Sequence, residues 1–381
     1  MKTDFVFRMP SKIIFGVGRF NLLKEEVDLL AKKGRVLVVL DPQLRQRILS
    51  RTEKLLTGRK IDIWEIKDGE PTVQSVDEVA EYARRLKPTV VIGIGGGSAM
   101  DTAKAVSALL THPGSSQRYR GQNLLVNPTV PKIMIPTTAG TGSEITQTAV
   151  LIHQGRKGGI NSPYLIPEAA ILDPELLITL PPAVTTSTGL DALTHAVESY
   201  LSKNSSPLTE SLSLSAAELM VNWLPKAIKE GRDIEARTFT LMGSLLAGIA
   251  LGNAGVIAGH SLSYPLGARF HLPHGIANGM LLPYVMAEIS DAAPEKLARL
   301  SKVFGINKGD KDLKEQAKEA VNFIFEFERK IGFTKRLSDF GIPKEMLSQM
   351  VTEAQAVSVP IANTPKPLTA CDLLRIYQNA Y

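Results

Sequence analysis

Cysteine is nearly absent. Cys371 stands alone among 381 residues, which excludes an internal disulfide framework and fits a reducing compartment. The opening MKTDFVFRMPSKIIFG has no apolar h-region and no cleavage site, so it does not read as a secretory signal and a cytoplasmic protein is expected. Basic runs are missing too. A net charge of +6 is scattered among acidic residues with no aromatic-flanked patch, which argues against nucleic acid and suits an anionic small molecule such as a dinucleotide. Thr238 to Ala268 contains no Asp, Glu, Lys or Arg, long enough for a bilayer by hydropathy alone. Glycines at 243, 248, 252, 255 and 259, with Asn253 and His260, interrupt that run, so closely packed buried helices are expected and no membrane partner.

With 44% hydrophobic and 22% charged residues the chain has an ordinary globular composition, and its length calls for two domains. The first half alternates short Val- and Ile-rich runs with helical patterns. Strands are expected at Val36–Leu40, Ile61–Ile66, Val90–Ile94 and Lys132–Ile135, and further ones near Thr148–Ile152 and Ala169–Leu172. Helices are expected near 42–56, 74–86 and 98–110. That alternation implies a mostly parallel sheet covered on both faces. From Pro181 the strand signal stops, and helical patterns occupy roughly 183–202, 208–229, 233–253, 256–264, 275–289, 294–304, 311–331 and 343–354. The expected organisation is an α/β domain over 1–181 and an all-helical domain over 182–381.

In Val90–Asp101 a strand runs into three consecutive glycines, Gly95, Gly96 and Gly97, and then into a helix. Glycine lets backbone N–H groups approach an anion, and the positive end of the following helix favours phosphate. The spacing matches neither G-x-G-x-x-G nor a P-loop. Ser98 with Asp101 also resembles a capping box, which is the structural alternative for those two residues. A second polar loop, PTTAGTGSE from Pro136 to Glu144, follows another short strand and is either a phosphate or ribose grip or a surface turn.

Histidine is scarce as well: of six, four fall between His195 and His274. Asp191 and His195 stand at i and i+4 and share one helical face. His260 lies in a small-residue helical pattern, and His274 follows Pro273 at an expected helix start. One carboxylate and three imidazoles suit a divalent zinc or iron ion, although each polar pair alone would also serve as a hydrogen-bonded core residue or a solvated face.

GGGSAMDTAK, PTTAGTGSE, DALTHAVE and HLPHGIAN, in this order, resemble the iron-containing alcohol dehydrogenase family, and the resemblance covers nearly the whole chain. It implies a Rossmann-like first domain and an all-helical second one, the architecture shared with dehydroquinate synthase, and an active site in the cleft between the two. Carried over by motif, the metal ligands fall on Asp191, His195, His260 and His274. The cofactor contacts fall on Gly95, Gly96, Gly97, Ser98, Asp101, Thr137, Thr138, Thr141 and Ser143, with Lys157 as a further one. Many relatives have a second histidine four residues after the third ligand. Here that position is Tyr264, so either His271 takes over proton transfer or no such relay operates and solvent carries the proton.

The resemblance implies an NAD-dependent oxidoreductase that moves a hydride between NAD(H) and an alcohol/aldehyde or ketone pair. Fe2+ is the expected Lewis acid, Zn2+ the alternative, and a homodimer the expected assembly. A zinc polyol dehydrogenase and a dehydroquinate-synthase-type lyase are the rival readings; the lyase needs a basic site, and near the ligands only Arg269 is basic. Asp41, at the end of Val36–Leu40, is expected to bind the adenosine ribose and to select NAD over NADP. Arg45 and Arg47, a turn further on, compete with that reading, and Asp41-Pro42 is also a common helix start.

Overall fold

The computed structural model describes residues 4–67, 69–306 and 312–381. It divides into one unit over Arg8–Thr179 and another over Leu180–Tyr381, which also takes in residues 4–7. The sequence places its boundary at Pro181–Pro182.

The first unit runs β1 (Lys12–Phe15), α1 (Leu23–Leu30), β2 (Arg35–Leu40), α2 (Arg45–Leu55), β3 (Lys60–Glu65), α3 (Val73–Leu86), β4 (Val90–Gly95), α4 (Gly97–Leu109), β5 (Gly121–Gln122), β6 (Lys132–Pro136), β7 (Thr148–His153), β8 (Arg156–Asn161) and β9 (Ala169–Leu172). Six strands form one parallel sheet in the order β1-β9-β6-β4-β2-β3. The inner strands β2, β4 and β6 are buried almost throughout, which is why their sequences are unbroken apolar runs rather than alternating ones. From β2 the chain moves outward to β3, then returns to β4 on the other side of β2 and continues to β6. The reversal creates a switch point at the carboxyl ends of β2 and β4, where open α/β sheets place their ligands.

Three strands lie outside the expectation, among them the two-residue β5, which pairs with β8. β1 is short and sits at the sheet edge, and β8 (RKGGIN) has little strand propensity and exists because it pairs antiparallel with β7.

The second unit consists, among the described residues, of helices: α5 (Pro182–Leu201), α6 (Pro207–Lys229), α7 (Ile234–Ala254), α8 (Ala258–Phe270), α9 (His274–Glu288), α10 (Pro294–Val303), α11 (Leu313–Lys330), α12 (Leu347–Gln355), α13 (Ser358–Asn363) and α14 (Ala370–Ala380). Lys311, the first residue of the helix expected over 311–331, lies outside the described residues. Local signals set the starts. Ser206 and Thr209 form a capping box ahead of α6 with Pro207 in the first turn, and Asp233 accepts from the Ala236 N–H at 2.8 Å to begin α7. Helix α7 is long and apolar enough to cross a bilayer, yet 61% of its most apolar window is buried, where it packs against α5 and α6. Leu193, Ala196, Val197, Ala217, Met220 and Ala247 belong to the continuous core of this unit.

Candidate active site

At the switch point the backbone is built for close approach. Gly95 ends β4 with φ +152°, and a Cβ there would meet the Ala99 Cβ at 2.8 Å and the Asp41 Cβ at 3.0 Å. Only glycine fits, and Asp41 therefore stands directly beside the glycine turn. Gly96 is the N-cap of α4, which carries no side-chain cap, whereas α3 is capped by Thr72. The first-turn N–H groups of α4 thus have no competing side-chain oxygen, an arrangement suited to phosphate.

The capping box that was the structural alternative for Ser98 and Asp101 is not formed. Asp101 is instead buried and turned inward, where its Oδ1 accepts from the Ser143 hydroxyl at 2.6 Å and its Oδ2 from the Val150 N–H at 3.0 Å. Lys104, fully buried, lies 3.2 Å from Asp101 Oδ1 and donates to the Ser143 carbonyl at 2.9 Å and to the Thr148 carbonyl. Burial pulls the Lys104 ammonium below its usual range, against the opposing pull of Asp101 and Glu144. Glu144, also buried, is pushed up to about 7 by desolvation. These residues tie the two polar loops together.

The expected cofactor contacts therefore split in two. Gly96, Gly97, Ser98, Thr138 and Thr141 are half-buried at the surface of the cradle, whereas Asp101, Thr137 and Ser143 are buried beneath it. Lys157, on β8, is paired with Glu70. Asp41 Oδ1 accepts from the Gln43 N–H at 3.0 Å and so begins the turn after β2. Arg45 is ion-paired with Glu65, and Arg47 donates to the Leu176 carbonyl, so both arginines have partners other than a nucleotide.

In the helical unit Asp191 and His195 project from one face of α5, and the Nε2 of His195 lies 3.7 Å from Asp191 Oδ1. His260 comes from the first turn of α8, and His274 is the first residue of α9. One ligand atom each from Asp191, His195 and His260 lies within 4.8 Å of the others, and His274 Nε2 is 3.9 Å from Asp191 Oδ1. The His195 and His260 rings stack at 4.9 Å, and those of His260 and His274 meet edge-on at 5.4 Å. The close approach of α9 to α5 needs Gly275, where a Cβ would fall 1.9 Å from the Ser187 carbonyl oxygen.

Two residues that the sequence did not single out complete the arrangement. The Asn278 amide nitrogen lies 2.8 Å from Asp191 Oδ1, 3.1 Å from His260 Nε2 and 3.2 Å from His274 Nε2. Lone pairs from three residues thus converge on one donor, which is the chemistry a cation requires. Glu198 Oε2 lies 2.8 Å from His260 Nδ1 on the other side of the ring. The signals were present but weak: Glu198 is i+7 from Asp191, and Asn278 is i+4 from His274. Burial alone would raise the Asp191 carboxyl, but the charges of His195, His274 and His260 and the Asn278 amide hold it at about 2.

The Tyr264 ring lies 5.8 Å from that of His274. His271 is exposed, caps α8 in the left-handed conformation at φ 54°, and enters none of the ring contacts among the described residues. Arg269, the one basic residue expected nearby, is bound to Glu353 through Nε at 2.8 and 2.9 Å, which leaves little for the phosphorylated sugar acid of a lyase.

A parallel sheet with an open helix start at its switch point, followed in the chain by a helical unit that gathers carboxylate and imidazole, is the plan of a metal-dependent dehydrogenase. The model of the iron-containing alcohol dehydrogenases matches residues 10–174, and that of the C-terminal part of the Fe-containing alcohol dehydrogenase family matches residues 185–381. The chain is 38% identical over 372 residues to long-chain-alcohol dehydrogenase 1 of Geobacillus thermodenitrificans, covering 96% of this chain and 94% of that one. A solved 1,3-propanediol oxidoreductase superposes with a TM-score of 0.96 at 31% identity, covering 99% and 100% of the two chains. The sulfoacetaldehyde reductase of Bifidobacterium kashiwanohense, solved with NAD+, gives 0.87 at 29% identity, covering 100% and 99%. The chain belongs to the iron-containing alcohol dehydrogenase family.

Proposed function

We propose that this chain is an NAD-dependent, iron-dependent oxidoreductase that interconverts an alcohol with its aldehyde or ketone. The observation that carries the reading is the convergence of Asp191, His260 and His274 on a single point, with His195 alongside. These four residues would hold the ion. A carboxylate with three imidazoles admits zinc as well, and family membership favours iron. When bound, iron supplies a Lewis acid for the substrate oxygen, and NAD supplies the hydride acceptor.

The chain's own residues provide charge, position and proton handling. Asp191, the one carboxylate of the set, brings its single negative charge. The backbone at Gly96 and Gly97 and the hydroxyls of Ser98, Thr138 and Thr141 would hold the pyrophosphate at the start of α4. Asp41 has a second carboxylate oxygen for the ribose, and the NAD+ complex of the sulfoacetaldehyde reductase supports that choice of cofactor. Tyr264, beside His274, is the group we assign to proton handling in place of the exposed His271.

The test is to incubate the purified protein with NAD, Fe2+ and a panel of alcohols from short diols to long chains, following NADH absorbance. NADH formation that needs iron and stops with a chelator is expected. No NADH with any alcohol, and no NADH consumption with the matching aldehydes, would overturn the reading.

A further inference from the structure

We propose that Glu198 is the positioning residue of the metal set, holding the Nδ1–H of His260 so that its Nε2 lone pair faces Asp191 and His274. The proposal rests on the reading of Asp191, His195, His260 and His274 as an iron site. Glu198 is completely buried on α5, seven residues after Asp191 and three after His195, so all three side chains leave nearly the same helical face.

Its Oε2 receives two donors: the His260 Nδ1–H at 2.8 Å and the backbone N–H of Ile257, the N-cap of α8, at 2.9 Å. On the opposite edge of the same ring, the Asn278 amide lies 3.1 Å from His260 Nε2. An acceptor at Nδ1 and a donor at Nε2 both select the tautomer with its proton on Nδ1. That form leaves the Nε2 lone pair for an ion, and a carboxylate behind the ring fixes its orientation and raises its basicity.

Space for the carboxylate is reserved by Gly259. A Cβ at that position would fall 2.1 Å from Glu198 Oε1, closer than any real contact, so a side chain there would push the carboxylate off the imidazole. Glu198 also fixes the start of α8 through Ile257, and a purely structural role would stop at that bond.

The experiment separates the two roles. Nitrogen NMR of the metal-free native protein should find His260 protonated on Nδ1. Cobalt(II), with its visible absorption, then serves as the probe in competition against a chelator. Glu198→Gln keeps an acceptor oxygen without the charge and should weaken cobalt binding roughly 10-fold, while Glu198→Leu should weaken it roughly 100-fold. Gly259→Ala, with Glu198 intact, should reproduce much of the loss. The metal-free Glu198→Gln protein should melt close to native, and this variant keeps the test open if Glu198→Leu does not fold. Cobalt affinity within about twofold of native in a folded Glu198→Gln protein, set against the expected loss, would overturn the proposal, as would a native His260 lacking a proton on Nδ1. A native protein that takes up no cobalt at all would instead overturn the iron-site reading, and with it the role assigned to Glu198.

Discussion

Ser143 donates its hydroxyl to Asp101 across 2.6 Å of buried space, joining the loop after β6 to the first turns of α4. The two loops that are expected to grip the cofactor are therefore tied to one another from beneath. Asp101 is also the nearest carboxylate to the buried Lys104. Asp101→Ala should destabilise the protein by on the order of 3 kcal/mol, since it strands a buried cation and two donors. Urea unfolding measures this, and a loss below about 1 kcal/mol would show that the network contributes little.

Removal of an imidazole from the metal set should cost the ion before it costs the fold. His195→Ala and His260→Ala are each expected to lose most bound iron while keeping native far-ultraviolet circular dichroism. Elemental analysis that finds full metal occupancy in both variants refutes the ligand assignment.

Cofactor choice turns on Asp41, because Arg45 and Arg47 are already engaged with Glu65 and with the Leu176 carbonyl. A carboxylate beside Gly95 repels the added charge of a 2′-phosphate. The native protein should favour NAD by kcat/KM, and Asp41→Gly should narrow the ratio by on the order of tenfold, the worth of one charge-assisted hydrogen bond. Native preference for NADP, or an unchanged ratio in the variant, defeats the assignment.

Tyr264 and His271 make opposite predictions. If Tyr264 handles the proton, Tyr264→Phe should lower kcat by roughly 10²–10⁴. His271→Gly should leave kcat near native and raise stability by about 0.5–1 kcal/mol, because φ 54° strains any residue with a Cβ. A large loss of kcat in His271→Gly with none in Tyr264→Phe would return the role to His271.

Glu144 should make stability depend on pH. Its carboxyl has an ordinary value of 4.5 and is raised by burial to about 7 in the folded protein. The native state then keeps a proton that the unfolded chain has released. Its contribution is present in full below 4.5 and is lost as pH rises through about 7, at about 1.4 kcal/mol for each pH unit between. Melting temperature followed from pH 4.5 to 8 should fall less steeply in Glu144→Gln than in the native protein. Parallel curves would mean that the group does not carry the effect.

Much of this protein was legible in one dimension. Apolar runs at Val36–Leu40, Val90–Ile94 and Lys132–Ile135, alternating with helical patterns, read as buried strands, and the loss of that signal after Pro181 marked the change to helices. The glycine turn before α4 and the Asp191–His195 spacing announced themselves because both depend on neighbours within one turn. Partners far apart in sequence did not. The capping alternative for Asp101 rested on Ser98, close in the chain, whereas its partners in the fold, Ser143 and Val150, come from later segments. Strand β8 forms because β7 supplies its hydrogen bonds, and Asn278 meets Asp191 only once α9 lies against α5. Residue type alone singled out His271, and only the folded backbone shows that it stands exposed at a helix end. Periodicity and local sterics are properties of the sequence itself. Which buried polar group meets which is decided by packing, since an unpaired one costs roughly 1–3 kcal/mol and only the folded chain can bring its partner within reach.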